Sequence, residues 1–190
     1  MTNSGDTDEA LMARFARGDA ASFEELYRRH EMRVWRYLER NVGNRATAEE
    51  LMQDVWFAVA RDARRYEPDA KFTTWLFTIA HNRMIDSIRT QRRPMSLDVL
   101  GYEAESVIEH LTTDPLDGPL AAADAWGKAV ALLRAVDQLP REQRDAFLLQ
   151  IEGDLSVEEI AAITVSSFET VKSRLRYARS KLRELLQEYA

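Results

Sequence analysis

Residues 155–186 read LSVEEIAAITVSSFETVKSRLRYARSKLRELL, two apolar repeats with a break between them. Val157, Ile160, Ala161 and Ile163 give a short apolar face, which Thr164-Val165-Ser166 interrupts. Val171, Leu175, Ala178, Leu182 and Leu185 then recur at spacings of four and three, the signature of one face of a long helix. Ser166 with Glu169 three residues on predicts a capping box where that helix starts. One residue out of step with the apolar stripe runs a basic one, Lys172, Arg176, Arg179 and Arg183. A short helix, a tight turn and a longer basic helix form the plan of a DNA-reading helix-turn-helix. Basic amphipathic helices are also commonly no more than solvated faces, so the segment alone leaves both readings open. Val165 stands where such a turn often carries Gly, and a β-branched residue tolerates positive φ poorly. The turn therefore either has another geometry or stores strain.

The composition narrows the class. The chain of 190 residues is 45% hydrophobic and 31% charged, with 7 Gly and 5 Pro, the balance of a soluble helical protein. It has no cysteine, hence no disulfide, thiolate metal site or cysteine nucleophile, which suits a cytoplasmic location. No long apolar run and no basic-then-apolar leader argues for membrane insertion or export. The net charge of −6 is unevenly spread. Residues 1–93 sum to +1 and residues 125–190 to zero, so the acidity lies in residues 94–124, which hold 7 acidic and no basic residues.

No alternating strand pattern is present, and the predicted class is all-α. Leu11, Met12 and Phe15 predict a short helix ended by Gly18. Asp19 caps a longer helix carrying Phe23, Leu26, Tyr27, Val34 and Leu38 up to Gly43. Thr47-Ala-Glu-Glu50 predicts a capping box that opens a helix through Leu51, Met52, Val55, Trp56 and Val59. A loop around Tyr66–Lys71 follows, since Pro68 cannot continue the helix. A fourth helix starts near Phe72 or Thr73 and ends in Arg89, Arg92, Arg93 and Pro94. Two small helical domains are predicted, 1–93 and 121–190, joined by an acidic linker at 94–120 with one helical turn around Glu103–Leu111. The second domain holds a helix from Ala121 to Leu139, another from Arg141 to Glu152, and the helix-turn-helix.

The fourth helix sets Trp75 and Phe77 beside Asn82, Arg83, Arg89, Arg92 and Arg93. Rings beside cations suit single-stranded nucleic acid, where bases stack and phosphates are tracked. Trp75 at helical spacing with Leu76 and Ile79 reads more simply as core, whereas the amide of Asn82 can read a base edge.

Four stretches, AEELMQDVWF, KFTTWLFTIAHNRMIDSIR, LPREQRDAFLLQIEGDLSVEEIA and TVKSRLRYARSKLREL, stand in the order and at the separations of one family. The chain resembles an extracytoplasmic-function (group IV) sigma factor of bacterial RNA polymerase over nearly its whole length. The resemblance implies a promoter-specificity subunit. Glu49, Glu50, Leu51, Gln53, Asp54 and Trp56 match the surface docking on the clamp coiled coil of the polymerase's largest subunit; the flap region is the second implied contact. Tyr66, Lys71, Phe72, Asn82 and Arg83 match the elements that capture an unstacked base of the −10 element, with Arg89, Arg92 and Arg93 on nearby phosphates. Ser167, Glu169, Thr170, Lys172, Ser173, Arg176 and Arg179 match the helix reading the −35 element. The acidic linker resembles the segment threaded through the polymerase's RNA exit path. Thr47 stands where the family often has an acidic residue. Phosphorylation there by a Ser/Thr kinase would supply an anion at a helix N-terminus; an anti-sigma factor is the other form of control the family implies.

The competing reading is a stand-alone helix-turn-helix regulator that binds duplex DNA without polymerase. An enzyme requires a nucleophile–base pair or a metal cluster. His30, His81 and His110 are scattered without ligand spacing, His81 reading as a surface or −10-proximal polar residue, and no cofactor or metal is implied.

Overall fold

The computed structural model describes residues 5–67, 71–90 and 119–187, and all regular structure among them is helical. The first half contains α1 (Asp8–Phe15), α2 (Ala20–Val42), α3 (Arg45–Asp62), a 3₁₀ turn (Ala63–Arg65) and α4 (Phe72–Thr90). The second contains α5 (Pro119–Asp137), α6 (Arg141–Gly153), α7 (Val157–Ile163) and α8 (Phe168–Leu185). The predicted linker turn at Glu103–Leu111, together with Arg92, Arg93 and His110, lies outside the described residues. In the first half Leu26, Val34 and Leu38 of α2 meet Leu51, Val55 and Val59 of α3 and Leu76, Phe77 and Met84 of α4 in a buried core. In the second half Leu148 and Leu149 of α6 pack with Ile160 of α7 and Val171, Leu175, Ala178 and Leu182 of α8. The apolar spacing of α8 is thus the buried stripe.

Two predicted caps fall elsewhere. Helix α3 begins at Arg45, and Asn44, in extended conformation, accepts from the Thr47 backbone N–H at 2.9 Å. Gly43 ends α2 in the left-handed region (φ 63), so the next residue is free to cap α3. Thr47 therefore sits in the first turn, 9% exposed, and is not the cap. A Thr47→Asp variant is expected to lose about 1–3 kcal/mol of stability through carboxylate burial. Its melting temperature should fall below that of Thr47→Ala, with no gain in transcription.

The second correction is at α8, where Ser167, not Ser166, is the N-cap and accepts from the Thr170 N–H at 3.2 Å. Ser166 instead braces the turn: its hydroxyl donates to the Thr164 carbonyl and accepts from Arg174 Nη1 at 3.0 Å. The full capping box is at α7, between Ser156 and Glu159.

Strain is what the helix-turn-helix turn adopts. Val165 has φ 49 and is 94% exposed. Its N–H bonds the Ala162 carbonyl and the Ser166 N–H bonds the Ala161 carbonyl, the pairing that closes a helix through a left-handed residue. A Val165→Gly variant is expected to gain about 1 kcal/mol after allowing for glycine's freedom in the unfolded chain. For a chain of this size that raises Tm by about 2–4 °C, measurable by calorimetry.

At the end of α6 the roles of two residues are also exchanged relative to habit. Asp154 takes the left-handed position (φ 53), while Gly153 provides close approach. A Cβ at Gly153 would lie 2.8 Å from Leu155 Cγ and 3.4 Å from the ring of Phe77 on α4.

Candidate nucleic-acid interface

Three helices present the residues singled out in the sequence, and burial divides those residues. On α8, Glu169, Thr170, Lys172 and Arg176 are exposed and Ser173 is half-buried, on the side turned away from the Val171–Leu182 stripe. Ser167, exposed as the N-cap, exchanges a hydroxyl contact with Thr170 at 2.8 Å. Arg176 lies over the Tyr177 ring at 4.9 Å and Lys172 over Phe168 at 5.9 Å, leaving both cations at the surface. Arg179 is committed elsewhere, donating to Gln150 of α6 at 2.6 Å, and so fixes α8 on its neighbour.

On α4, Asn82 and Arg89 are exposed and Arg83 is half-buried. Trp75 is half-buried, its ring 5.2 Å from Tyr66 and 6.2 Å from Phe72, a share of core packing that its spacing predicts. Tyr66 is 9% exposed and Phe72 fully buried, so both rings pack inward in this arrangement. Burial, and then the nearby carboxylates of Glu9 and Asp8, push the Tyr66 hydroxyl up to about 12.

On α3, Glu49, Glu50, Gln53 and Asp54 are exposed, whereas Leu51 (4%) and Trp56 (6%) face the core. The middle of this outward face is occupied by Phe57, 72% exposed, beside a depression of about 330 Å³ lined by Phe23, Tyr27, Met52 and Trp56. Phe57 falls outside the apolar periodicity of α3, so its spacing marks it neither as core nor as site. Its position four residues after Gln53, in register with the acidic face, was the available signal.

The two halves meet through polar pairs. Arg36 of α2 grips Glu152 of α6 with two bonds of 2.9 and 2.8 Å, both side chains largely buried. Arg40 reaches Asp137 at 3.0 Å. The Tyr37 hydroxyl donates to Asp145 at 2.8 Å, and His81 Nδ1 lies 3.4 Å from the same carboxylate. Burial, reinforced by Asp145, drives the Tyr37 hydroxyl well above its ordinary range. His81 is therefore a buried contact between the halves, not a surface residue, since the Asp145 carboxylate gives its ring a partner inside. At the α4 end, Thr74 donates to Glu159 Oε1 at 2.6 Å, and Lys71 Nζ stands 3.7 Å from the same oxygen. No group of His, Asp and Glu able to hold a metal ion occurs among the described residues. No described helix is long and apolar enough to cross a membrane.

Comparison with known proteins agrees with this geometry. Residues 26–94 match the family model for Sigma-70 region 2, and residues 129–182 match that for Sigma-70, region 4. The chain is 36% identical over 177 residues to RNA polymerase sigma factor CarQ of Myxococcus xanthus, covering 93% of this chain and 96% of that one. It is 34% identical to ECF RNA polymerase sigma factor RpoE of Cereibacter sphaeroides, covering 97% and 98%. Among solved structures, CnrH in complex with the cytosolic domain of CnrY superposes with a TM-score of 0.63 at 26% identity, covering 97% of this chain and 100% of that one. RpoE of Bartonella quintana, solved with the anti-sigma factor NepR, gives the same score at 22% identity over 87% and 96%, a likeness of fold. The chain belongs to the extracytoplasmic-function sigma factors, the promoter-specific initiation factors of bacterial RNA polymerase.

Proposed function

We propose that the chain divides its work among three outward faces. The α3 face of Glu49, Glu50, Gln53, Asp54 and Phe57 docks on the core polymerase clamp, with an apolar anchor inside an acidic rim. The α4 face of Trp75, Asn82 and Arg89, with Lys71 and Arg83 at its margins, holds the −10 element. The α8 face of Glu169, Lys172, Ser173 and Arg176 enters the major groove of the −35 element. Residues 1–93 and 121–190 act as separate domains, and the acidic linker at 94–120 runs along the polymerase's RNA path towards the flap. The protein works in the cytoplasm as a specificity subunit and makes or breaks no bond itself. The supporting observation is that each of these helices turns charged and polar groups to solvent while burying the apolar stripe beside them.

The arrangement of the halves also bears on when it acts. Elements centred about 25 base pairs apart lie roughly 85 Å apart at ~3.4 Å per pair. Glu159, by contrast, fastens α7 to the first turn of α4. Promoter engagement requires the halves to part. An anti-sigma factor is a fitting further partner: a groove of about 1120 Å³ between α2 and α5–α6 combines Leu132, Val136, Phe147 and Ile151 with Arg33 and Arg36. That lining suits an acidic amphipathic helix.

Run-off transcription with core polymerase on a promoter library tests the reading. Discrete starts that require the protein support it, and their upstream sequences define both elements. Tight duplex binding by the protein alone, without starts, would replace it with the stand-alone regulator.

A further inference from the structure

The family model for region 2 begins at residue 26, so α1 lies outside it. Helix α1 nevertheless reaches the start of α4. The Glu9 carboxylate accepts from the Phe72 backbone N–H at 2.9 Å across 63 residues of sequence. Phe72 is the first residue of α4, so this N–H is one that the helix itself cannot satisfy. The preceding residue is Lys71, whose carbonyl accepts from the Trp75 N–H but whose side chain can accept nothing. A cation at that position also opposes the helix dipole, whereas a carboxylate favours it. Glu9 thus supplies a cap that the Lys71 side chain cannot. Its neighbour Asp8 bonds His30 Nε2 at 2.7 Å and Arg29 at 2.9 Å, and the His30 ring lies 5.3 Å from Phe72. Burial raises the Asp8 carboxyl, but the bonds from His30 and Arg29 outweigh it and leave the group below its ordinary value.

Two carboxylates therefore meet the first turn of α4, Glu9 from its own half and Glu159 from the other. When the halves part, Glu159 leaves Thr74 and Lys71, and Glu9 stays. We infer that Glu9 is a positioning residue for promoter reading, capping α4 in trans so that its outward Trp75–Asn82 face is held in register for the −10 element. The inference rests on the assignment of α4 to that element.

The test is run-off transcription by the reconstituted holoenzyme on a promoter series carrying every single-base change in the −10 element. Core affinity and melting temperature are measured for each variant. Glu9→Ala is expected to reduce the discrimination between best and worst −10 bases by about fivefold, the scale of one lost helix cap. Core affinity should be unchanged. Glu9→Gln keeps an acceptor oxygen and should discriminate like the parent, including where Glu9→Ala proves too unstable to assay. Parental discrimination in Glu9→Ala, or a Gln variant as defective as Ala, overturns the positioning role. Asn82→Ala separates the two layers of the argument. If it abolishes discrimination while Glu9→Ala does not, only the role of Glu9 falls; if neither variant changes discrimination, the assignment of α4 falls as well.

Discussion

Glu152→Ala is expected to open the free protein and tighten its binding to core polymerase. Glu152 is 11% exposed and Arg36 17%, and the pair is bidentate. Removing one member of a buried pair typically costs 3–5 kcal/mol, because the remaining charge stays desolvated. Arg36 lines the open groove and can turn towards water, which places the cost at the lower end, about 3 kcal/mol. Binding that requires parted halves is weakened by the fraction of molecules that are closed. Lifting about 3 kcal/mol of closure therefore raises apparent core affinity by as much as about a hundredfold. Fluorescence transfer between dyes on α3 and α8 should report a longer distance in the variant, and a competition assay should report the affinity. The exchange of charges, Arg36→Glu with Glu152→Arg, is expected to restore closure. An unchanged distance together with unchanged affinity would show that the pair does not govern opening.

The second large effect is expected at Phe57. A ring 72% exposed contributes little to the fold, and substitutions at such sites usually stay within about 0.5 kcal/mol of the parent. An exposed apolar ring one turn beyond Gln53 and Asp54 on the same helix face has the make-up of a binding hot spot, where truncation costs about 2 kcal/mol or more. Phe57→Asp should weaken core binding by about thirtyfold or more at unchanged melting temperature. Leu51→Ala and Trp56→Ala, in the core, should lower Tm instead, by about 2–5 kcal/mol of stability. If Phe57→Asp transcribes at the parental rate, the docking face lies elsewhere.

These variants also mark how far the sequence alone carries. Helix periodicity located the longer helices because their apolar stripes are long, as on α8, where Val171 to Leu182 became the buried face, but it gave no sign of the 3₁₀ turn Ala63–Arg65. Neighbours in space decide what periodicity leaves open. Ser166 and Ser167 are chemically alike, and only the left-handed backbone at Val165 determines which one caps α8. Thr47 has a glutamate three residues on, yet Asn44 comes first after Gly43 and takes the cap. Tyr66 and Phe72 have the chemistry of stacking platforms, but their rings turn inward because α1 and His30 supply a wall for them. His81 reads in sequence as a surface or −10-proximal polar group because its partner Asp145 is 64 residues away in the other half.

Glu159 gives the opening of the protein a particular character. One carboxylate oxygen bonds the Ser156 N–H and closes the cap of α7, while the other takes the Thr74 hydroxyl. Its desolvation is outweighed by those bonds and by Lys71, so its carboxyl titrates below the ordinary value of 4.5. The sign follows from that direction. Its contribution to the folded state is complete above pH ~4.5 and fades only as acid reaches the lowered value. A swing of acidity around neutrality leaves this carboxylate untouched, whereas added salt screens the pairs that surround it. Because the two oxygens are used separately, the clasp can be undone without unravelling the helix that carries it. If the halves part as proposed, the helix-turn-helix would keep its own caps and move as a rigid body rather than refold.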